Sequence, residues 1–223
     1  MSCCIQKRAF FARLAAIAKA MANEHRLKLL ELMAQRECSV QTLVECSGLS
    51  IASASRYLQQ LRRAGLVTAR RKAKPVLYRL ANDAVLIMLA VTHEVADGNF
   101  AGAEHILRSY FLERDNLAPV SRSELIRRMK KGVVTVLDVR PEDEFAFGHI
   151  PGARNLPLSQ LGKELPKLDP ETEIIAYCRC PLCILSFEAV AQLRKLGFKA
   201  RRLADGFPQW KAEGLPVETS SLS

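Results

Sequence analysis

The sequence predicts two domains: a mainly-α domain that carries a β-hairpin, followed by an α/β domain built on a parallel sheet. Three observations predict this. Up to about residue 114, apolar residues recur at helical spacing, and the only alternating stretches are two short ones flanking a basic tip. At Ala118-Pro119-Val120 the pattern changes. Beyond it, short apolar runs alternate with helical stretches, as strands do when laid parallel with helices packed on them. The expected domains are residues 1–117 and 118–223, each long enough to bury its own core.

The elements follow in order. Phe10 to Ala34 reads as two helices broken near Ala22-Asn23, with Leu14, Ile17, Met21, then Leu27, Leu30 and Met33 at helical spacing. Ser39 to Glu45 is a short helix opened by a small polar residue. Gly48-Leu49-Ser50 is a turn; Ser50 caps a helix running to Ala64, and Gly65 stops it. Leu66 to Ala69 and Val76 to Leu80 alternate like paired strands around Arg70-Arg71-Lys72-Ala73-Lys74-Pro75. A long apolar helix starts at Asn82, is interrupted at Asp97-Gly98-Asn99 and resumes to about Arg114. In the second half, a helix at Arg122–Lys130 precedes a strand at Val133–Leu137. A strand at Ile174–Tyr177 leads to a cysteine-rich loop, a helix at Ile184–Leu196 ending at Gly197, and a strand at Lys199–Leu203.

With 49% apolar and 25% charged residues, the composition is that of an ordinary globular chain. No apolar run approaches the ~20 residues of a membrane span, and Met1 to Arg8 lacks the layout of a secretory signal. A cytoplasmic protein without a membrane partner is expected. Its seven cysteines then serve reactivity, metal binding or packing rather than a disulfide frame. The formal net charge is +10, and Arg56 to Arg79 holds eight basic residues and no acid. Such a field suits a polyanion, with counterion release supplying sequence-independent affinity.

Helix, turn, helix and basic two-stranded ribbon make a winged helix-turn-helix. On the helix after Ser50, Ile51, Ala54, Leu58 and Leu61 share one face, while Ser53, Arg56, Gln60 and Arg63 lie roughly opposite. A recognition helix needs this division, with short polar and Arg/Gln groups free for major-groove edges. Ser53, Ser55, Arg56, Tyr57, Gln60 and Arg63 are the candidate DNA contacts there, joined by Arg70, Arg71, Lys72 and Lys74 of the ribbon, which would meet phosphate. His25-Arg26-Leu27-Lys28-Leu29-Leu30, Gly48-Leu49-Ser50 and Leu58-Gln59-Gln60-Leu61-Arg62-Arg63-Ala64-Gly65-Leu66-Val67 resemble the ArsR/SmtB repressors over roughly residues 8–115. The resemblance implies a homodimer, held mainly by the first and last helices, on double-stranded operator DNA. Two family metal sites are missing. Ser39 and Gln41 stand at the positions of an arsenic-type Cys-x-Cys box, and Val91 replaces the Asp of a zinc-type site for which His93, Glu104 and His105 are poorly spaced. Cys38 and Cys46 read as small buried apolar residues; Cys3 and Cys4 sit near an end, where a reactive or ligand role stays open.

In the second half, Tyr177-Cys178-Arg179-Cys180-Pro181-Leu182-Cys183 carries the chemistry. A cysteine between a parallel strand and a helix faces backbone N–H groups, which lower a thiol pKa and hold an anion. Its thiolate can attack sulfane sulfur and keep it as a persulfide, and Arg179 is placed to draw in an anionic donor such as thiosulfate. Val136-Leu137-Asp138-Val139-Arg140, Glu144, Gly148-His149-Ile150-Pro151-Gly152-Ala153, the cysteine loop and Asp205-Gly206-Phe207 with Trp210 resemble rhodanese over about residues 119–217. That resemblance makes Cys178 the persulfide-forming nucleophile and residues 179–183 its cradle, with Asp138 and Arg140 supporting the loop and His149 packing or capping locally. Cys180 stands where the family commonly has Gly, so a strained cradle is expected, and Asp205 replaces another usual Gly.

Cys178, Cys180 and Cys183 allow a persulfide on Cys178 to be resolved into a disulfide or polysulfide bridge. No cofactor and no resident metal are expected. The leading reading is a repressor whose rhodanese-like half carries or senses sulfane sulfur or oxidant, with thiosulfate or a persulfide as the small partner. The alternatives are a sulfurtransferase delivering sulfur to a thiol or cyanide, and a metal- or arsenite-responsive repressor using the three thiolates.

Overall fold

The computed structural model describes residues 2–70, 75–99, 118–161, 168–181 and 183–220. The chain divides into two compact units, Met1–Leu89 and Ala90–Ser223.

The first unit opens with α1 (Ser2–Met21) and α2 (Glu24–Gln35), followed by the two-residue strand β1 (Cys38–Ser39). Next come α3 (Val40–Ser47), α4 (Ile51–Arg63), β2 (Val67–Arg70) and β3 (Leu77–Leu80), and then α5 (Asp83–Asn99). Local chemistry sets the helix starts. Asn23, Ser39 and Ser50 each accept a hydrogen bond from a backbone N–H three residues on, at 3.1, 3.0 and 3.2 Å. Gly65, at φ +75°, takes the left-handed turn that ends α4 and starts the ribbon. β3 lies between β1 and β2, antiparallel to both, with Thr68 opposite Arg79 and Cys38 opposite Tyr78. Leu29, Leu30, Leu43, Leu58, Leu61, Leu66 and Val67 form the core beneath this ribbon, joined by Val85 and Leu89 of α5.

The described part of the second unit after residue 117 is an α/β layer: α6 (Arg122–Lys130), β4 (Val134–Asp138), α7 (Glu142–Phe147) and β5 (Arg154–Asn155). β6 (Glu173–Tyr177), α8 (Ile184–Lys195), β7 (Ala200–Arg202) and α9 (Phe207–Ala212) follow. The strands pair in the order β5-β4-β6-β7, all parallel, with Asp138 opposite Tyr177. β4 and β6 are largely buried, which is why they read as unbroken apolar runs. One face packs Leu137, Ala176, Ala189, Val190 and Leu193; the other packs Val136, Ile175, Tyr177, Phe207 and Trp210. A tail strap closes the unit: Glu218 and His149 exchange backbone hydrogen bonds of 2.9 and 3.0 Å, and the Ser220 N–H donates to the Ala146 carbonyl at 3.0 Å.

Three sequence expectations are corrected. The interruption expected at Asp97-Gly98-Asn99 is not seen up to Asn99: α5 is helical through these residues, and residues 100–117 lie outside the described part. Ile51, assigned to the inner face of α4, is 60% exposed at the first turn, whereas Ala54, Leu58 and Leu61 are buried. Cys38 is buried as expected, but Cys46 is exposed. β1, α7 and β5 were not anticipated; the two strands are only two residues long and carry no periodic signal. The resumed helix to Arg114, with Glu104 and His105, lies outside the described residues, as do Arg71, Lys72, Lys74 and Leu182 and the side chains of Cys3 and Cys4. Among the described residues, no helix is long and apolar enough to cross a membrane.

Candidate functional site

The cysteine loop leaves the carboxyl end of β6, where ligand sites collect in open parallel sheets. Cys178, next after the strand, is 1% exposed and belongs to the core cluster. The loop turns back through a Cys183 N–H to Cys180 carbonyl bond of 3.1 Å, so that Cys183 becomes the N-cap of α8. Its carbonyl accepts from the N–H and hydroxyl of Ser186 at 3.1 and 2.8 Å. This turn brings the Cys178 and Cys183 sulfurs to 2.7 Å.

The contact drives the pKa values of the two thiols apart. Hydrogen bonds from the Cys178 and Cys180 thiols and from the Leu185 and Arg179 amides hold Cys183 well below the usual thiol range, against the opposing effect of burial. Cys178 is pushed far up, first by the hydrogen bond to Cys183 and then by burial. Proton loss from the pair is therefore favoured at Cys183, which stands at the start of a helix.

Neighbouring segments fix the loop. The Phe207 N–H donates to the Cys178 carbonyl at 2.9 Å. Gly206 permits that approach, because a Cβ there would lie 2.5 Å from the Arg179 carbonyl carbon and oxygen and 2.6 Å from the Cys180 Cα. Arg202 of β7 donates to the Pro181 carbonyl at 3.1 Å, with its guanidinium 3.5 Å from the Phe187 ring centroid. Asp138 and Arg140, both fully buried, form a bidentate pair with contacts of 2.6–3.1 Å. Arg140 also donates to the Gly148 carbonyl at 2.7 Å and lies 4.2 Å from the Phe207 ring centroid, so this pair reaches the loop through Phe207. His149 is buried, with Nδ1 2.9 Å from the Phe145 carbonyl and its ring stacked on Phe145.

On the first unit, α4 presents Arg56, Gln60 and Arg63 to solvent, with Ser53, Ser55 and Tyr57 half-buried. Ser53 is engaged by the Ser50 cap through its N–H and hydroxyl. Arg56 lies 5.2 Å from the Tyr57 ring centroid. Gln60 accepts from Arg26 at 2.8 Å, while Arg26 also donates to the carbonyls of Ala20 and Lys19 at the end of α1. At the ribbon, Arg70 and Arg79 flank Glu37 at 3.9 and 3.7 Å.

Both halves have known counterparts. Residues 23–69 match the bacterial regulatory protein arsR family, and residues 121–213 match the rhodanese-like domain. The chain is 38% identical over 217 residues to the HTH-type transcriptional regulator Rv0324 of Mycobacterium tuberculosis, covering 96% of this chain and 93% of that protein. It is an ArsR-family transcriptional regulator with a C-terminal rhodanese-like domain. Over 95 residues this regulator is also 34% identical to the thiosulfate sulfurtransferase GlpE of Coxiella burnetii, covering 42% of this chain and 86% of that protein. A solution structure of the homodimeric winged helix-turn-helix domain of Mb0332 from Mycobacterium bovis is 38% identical, covering 42% of this chain and 86% of that one at TM-score 0.41.

In this ArsR-family regulator the cysteine loop departs from its sequence expectations in three respects. Cys180 carries no strain: among the described residues every positive φ belongs to glycine, so Cys180 turns without the left-handed conformation. Arg179 is not available to capture an anion. It holds the buried Glu144 through contacts of 2.5–3.0 Å; burial alone would lower its pKa, but the Glu144 hydrogen bonds and charge raise it. The depressed thiol is Cys183 rather than Cys178. Sequence reasoning missed Arg202 and Glu37, neither of which belongs to a pattern that announces its partner; Arg26 and Gly206 stand in quoted motifs, but without the contacts they make. Among the described residues, no group of three or more His, Cys, Asp or Glu side chains is placed to hold a metal ion.

Proposed function

We propose that this regulator senses sulfane sulfur, or an oxidant of equivalent effect, through Cys178 and Cys183 with Cys180 at hand, and that the thiol state sets its affinity for operator DNA. The single observation carrying this reading is the 2.7 Å thiol pair in a chain that also holds a DNA-reading module. A persulfide on either sulfur is within reach of the other, so loading resolves into a bridge inside the domain. The DNA-reading and dimerisation part is residues 1–117 and the sulfur-handling part 118–223. The working form is a homodimer, a state supported by the exposed Phe10, Phe11 and Leu14 of α1, which leave an apolar face for a second copy. Ser53, Ser55, Arg56, Tyr57, Gln60, Arg63, Arg70, Arg71, Lys72 and Lys74 form the DNA-facing set.

The test is fluorescence anisotropy on operator DNA with reduced and glutathione-persulfide-treated protein. The expected change is about 5- to 150-fold, the usual range of coupling between two sites. Equal affinities for the two forms reject the sensor. A second reading, sulfur transfer from thiosulfate to a thiol or cyanide, draws support from the likeness to the Coxiella sulfurtransferase. It requires turnover that disappears in Cys178→Ser.

A further inference from the structure

We propose that Cys183 is the thiol that takes sulfur first, and that Cys178 beneath it is the resolving thiol. The assignment rests on the sulfur-sensing reading above and reverses the order that the position of Cys178 after β6 suggests.

Three independent placements support it. Cys178 is 1% exposed and packed into the core, whereas Cys183 is only partly covered and packs against that core from outside. A donor larger than one sulfur atom therefore meets Cys183 before Cys178. Cys183 also occupies the N-cap position of a 12-residue helix, whose dipole favours an anion. Arg179, the cation that would draw charge toward Cys178, is already held by Glu144.

The chemistry balances without an added oxidant. The Cys183 thiolate attacks the outer sulfur of a hydropersulfide R–S–SH; a new S–S bond forms on Cys183, the donor's S–S bond breaks, and RS⁻ leaves. Cys178 then attacks the Cys183 Sγ. The bond to the added sulfur breaks, and that sulfur departs with the Cys178 proton as H2S. Two cysteine thiols are oxidised to a disulfide, and one sulfane sulfur is reduced to sulfide. From 2.7 Å, the sulfurs need to close by only about 0.7 Å to reach disulfide length.

Reduced full-length protein pulsed with iodoacetamide at about pH 6, where an ordinary thiol is almost wholly protonated, should label Cys183 at least about tenfold ahead of Cys178 when peptides are read by mass spectrometry. This arm uses the wild-type chain, so it does not depend on a variant folding. With glutathione persulfide, Cys178→Ser should hold one added sulfur on Cys183 and release no sulfide. Cys183→Ser should take its first sulfur at least about tenfold more slowly than wild type, and wild type should give the Cys178–Cys183 bridge and one sulfide per chain. Labelling of Cys178 first, or sulfur loading of Cys178 in Cys183→Ser at the wild-type rate, overturns this assignment and leaves the sensor intact. Failure of every cysteine to take sulfur from persulfide removes both.

Discussion

Replacing Gly206 by alanine tests whether the close approach of the closing segment holds the thiol pair together. The backbone φ of Gly206 is −97°, ordinary for alanine, so the substitution adds no conformational strain. Its whole effect is steric. The new Cβ would sit 2.5 Å from the Arg179 carbonyl carbon and oxygen and 2.6 Å from the Cys180 Cα, and all three are backbone atoms that cannot rotate away. Relief requires the two segments to part by roughly 1 Å, an overpacking cost of about 1–3 kcal/mol. The same movement stretches the 2.9 Å Phe207 N–H to Cys178 carbonyl bond beyond useful length, adding about 1 kcal/mol. A total of about 2–4 kcal/mol should lower the melting midpoint of the rhodanese-like domain by on the order of 10–20 °C. Because the loop carries both thiols, bridge formation on persulfide treatment should also slow. Gly152→Ala is the control: its Cβ meets nothing within 4 Å, but its φ is +72°, so it should cost about 1–2 kcal/mol of strain without changing thiol chemistry. A Gly206→Ala protein that melts and forms the bridge like wild type refutes the reasoning.

Glu144→Gln removes the carboxylate that neutralises Arg179 and should strengthen thiosulfate binding several-fold, read by competition with iodoacetamide labelling, at a stability loss of about 1–2 kcal/mol seen in a thermal melt. Unchanged thiosulfate protection would show that Arg179 is free in solution. Glu37→Gln releases Arg70 and Arg79 at the ribbon, so affinity for non-operator duplex should rise, and the log–log salt slope should steepen by about one to two charges. A flat response would exclude the ribbon base from the DNA contact. The pH dependence of labelling follows from the depressed Cys183 pKa. A lowered pKa leaves the thiolate populated as pH falls, so the Cys183 rate should stay nearly level from about pH 8 to about pH 6, while an ordinary thiol slows by about 100-fold.

Much of this architecture is legible in the residues because it depends on local signals. Ser50 and Gly65 bound α4 through a cap and a left-handed stop, and both effects act within a few residues. β4 and β6 announce themselves because burial on both faces demands unbroken apolar runs. What sequence does not carry is partnership across the chain. Arg179 and Glu144 are 35 residues apart and meet only when β6 and α7 are assembled, so the cation looked free until its carboxylate was placed. The same holds for Arg26 with Gln60, 34 residues apart, whose contact joins α2 to the exposed face of α4. The charge order of the thiol pair is equally non-local in cause. The spacing Cys-x-x-x-x-Cys brings both sulfurs near one turn, but the hydrogen bonds that converge on Cys183 and the burial of Cys178 drive their pKa values apart, and neither follows from the spacing.

The strap at Glu218 has a practical consequence. Its main chain is zipped to His149, its carboxylate takes the Gly152 N–H at 3.0 Å, and the adjoining Gly148 carbonyl is the acceptor that steadies Arg140. Shortening the protein to the residues of α9 would strip this fastening and loosen Arg140 from behind, although no atom of the cysteine loop had been deleted. Expression boundaries for the isolated sulfur domain therefore belong beyond Ser220, and an affinity handle placed there needs a spacer that leaves the fastening shut.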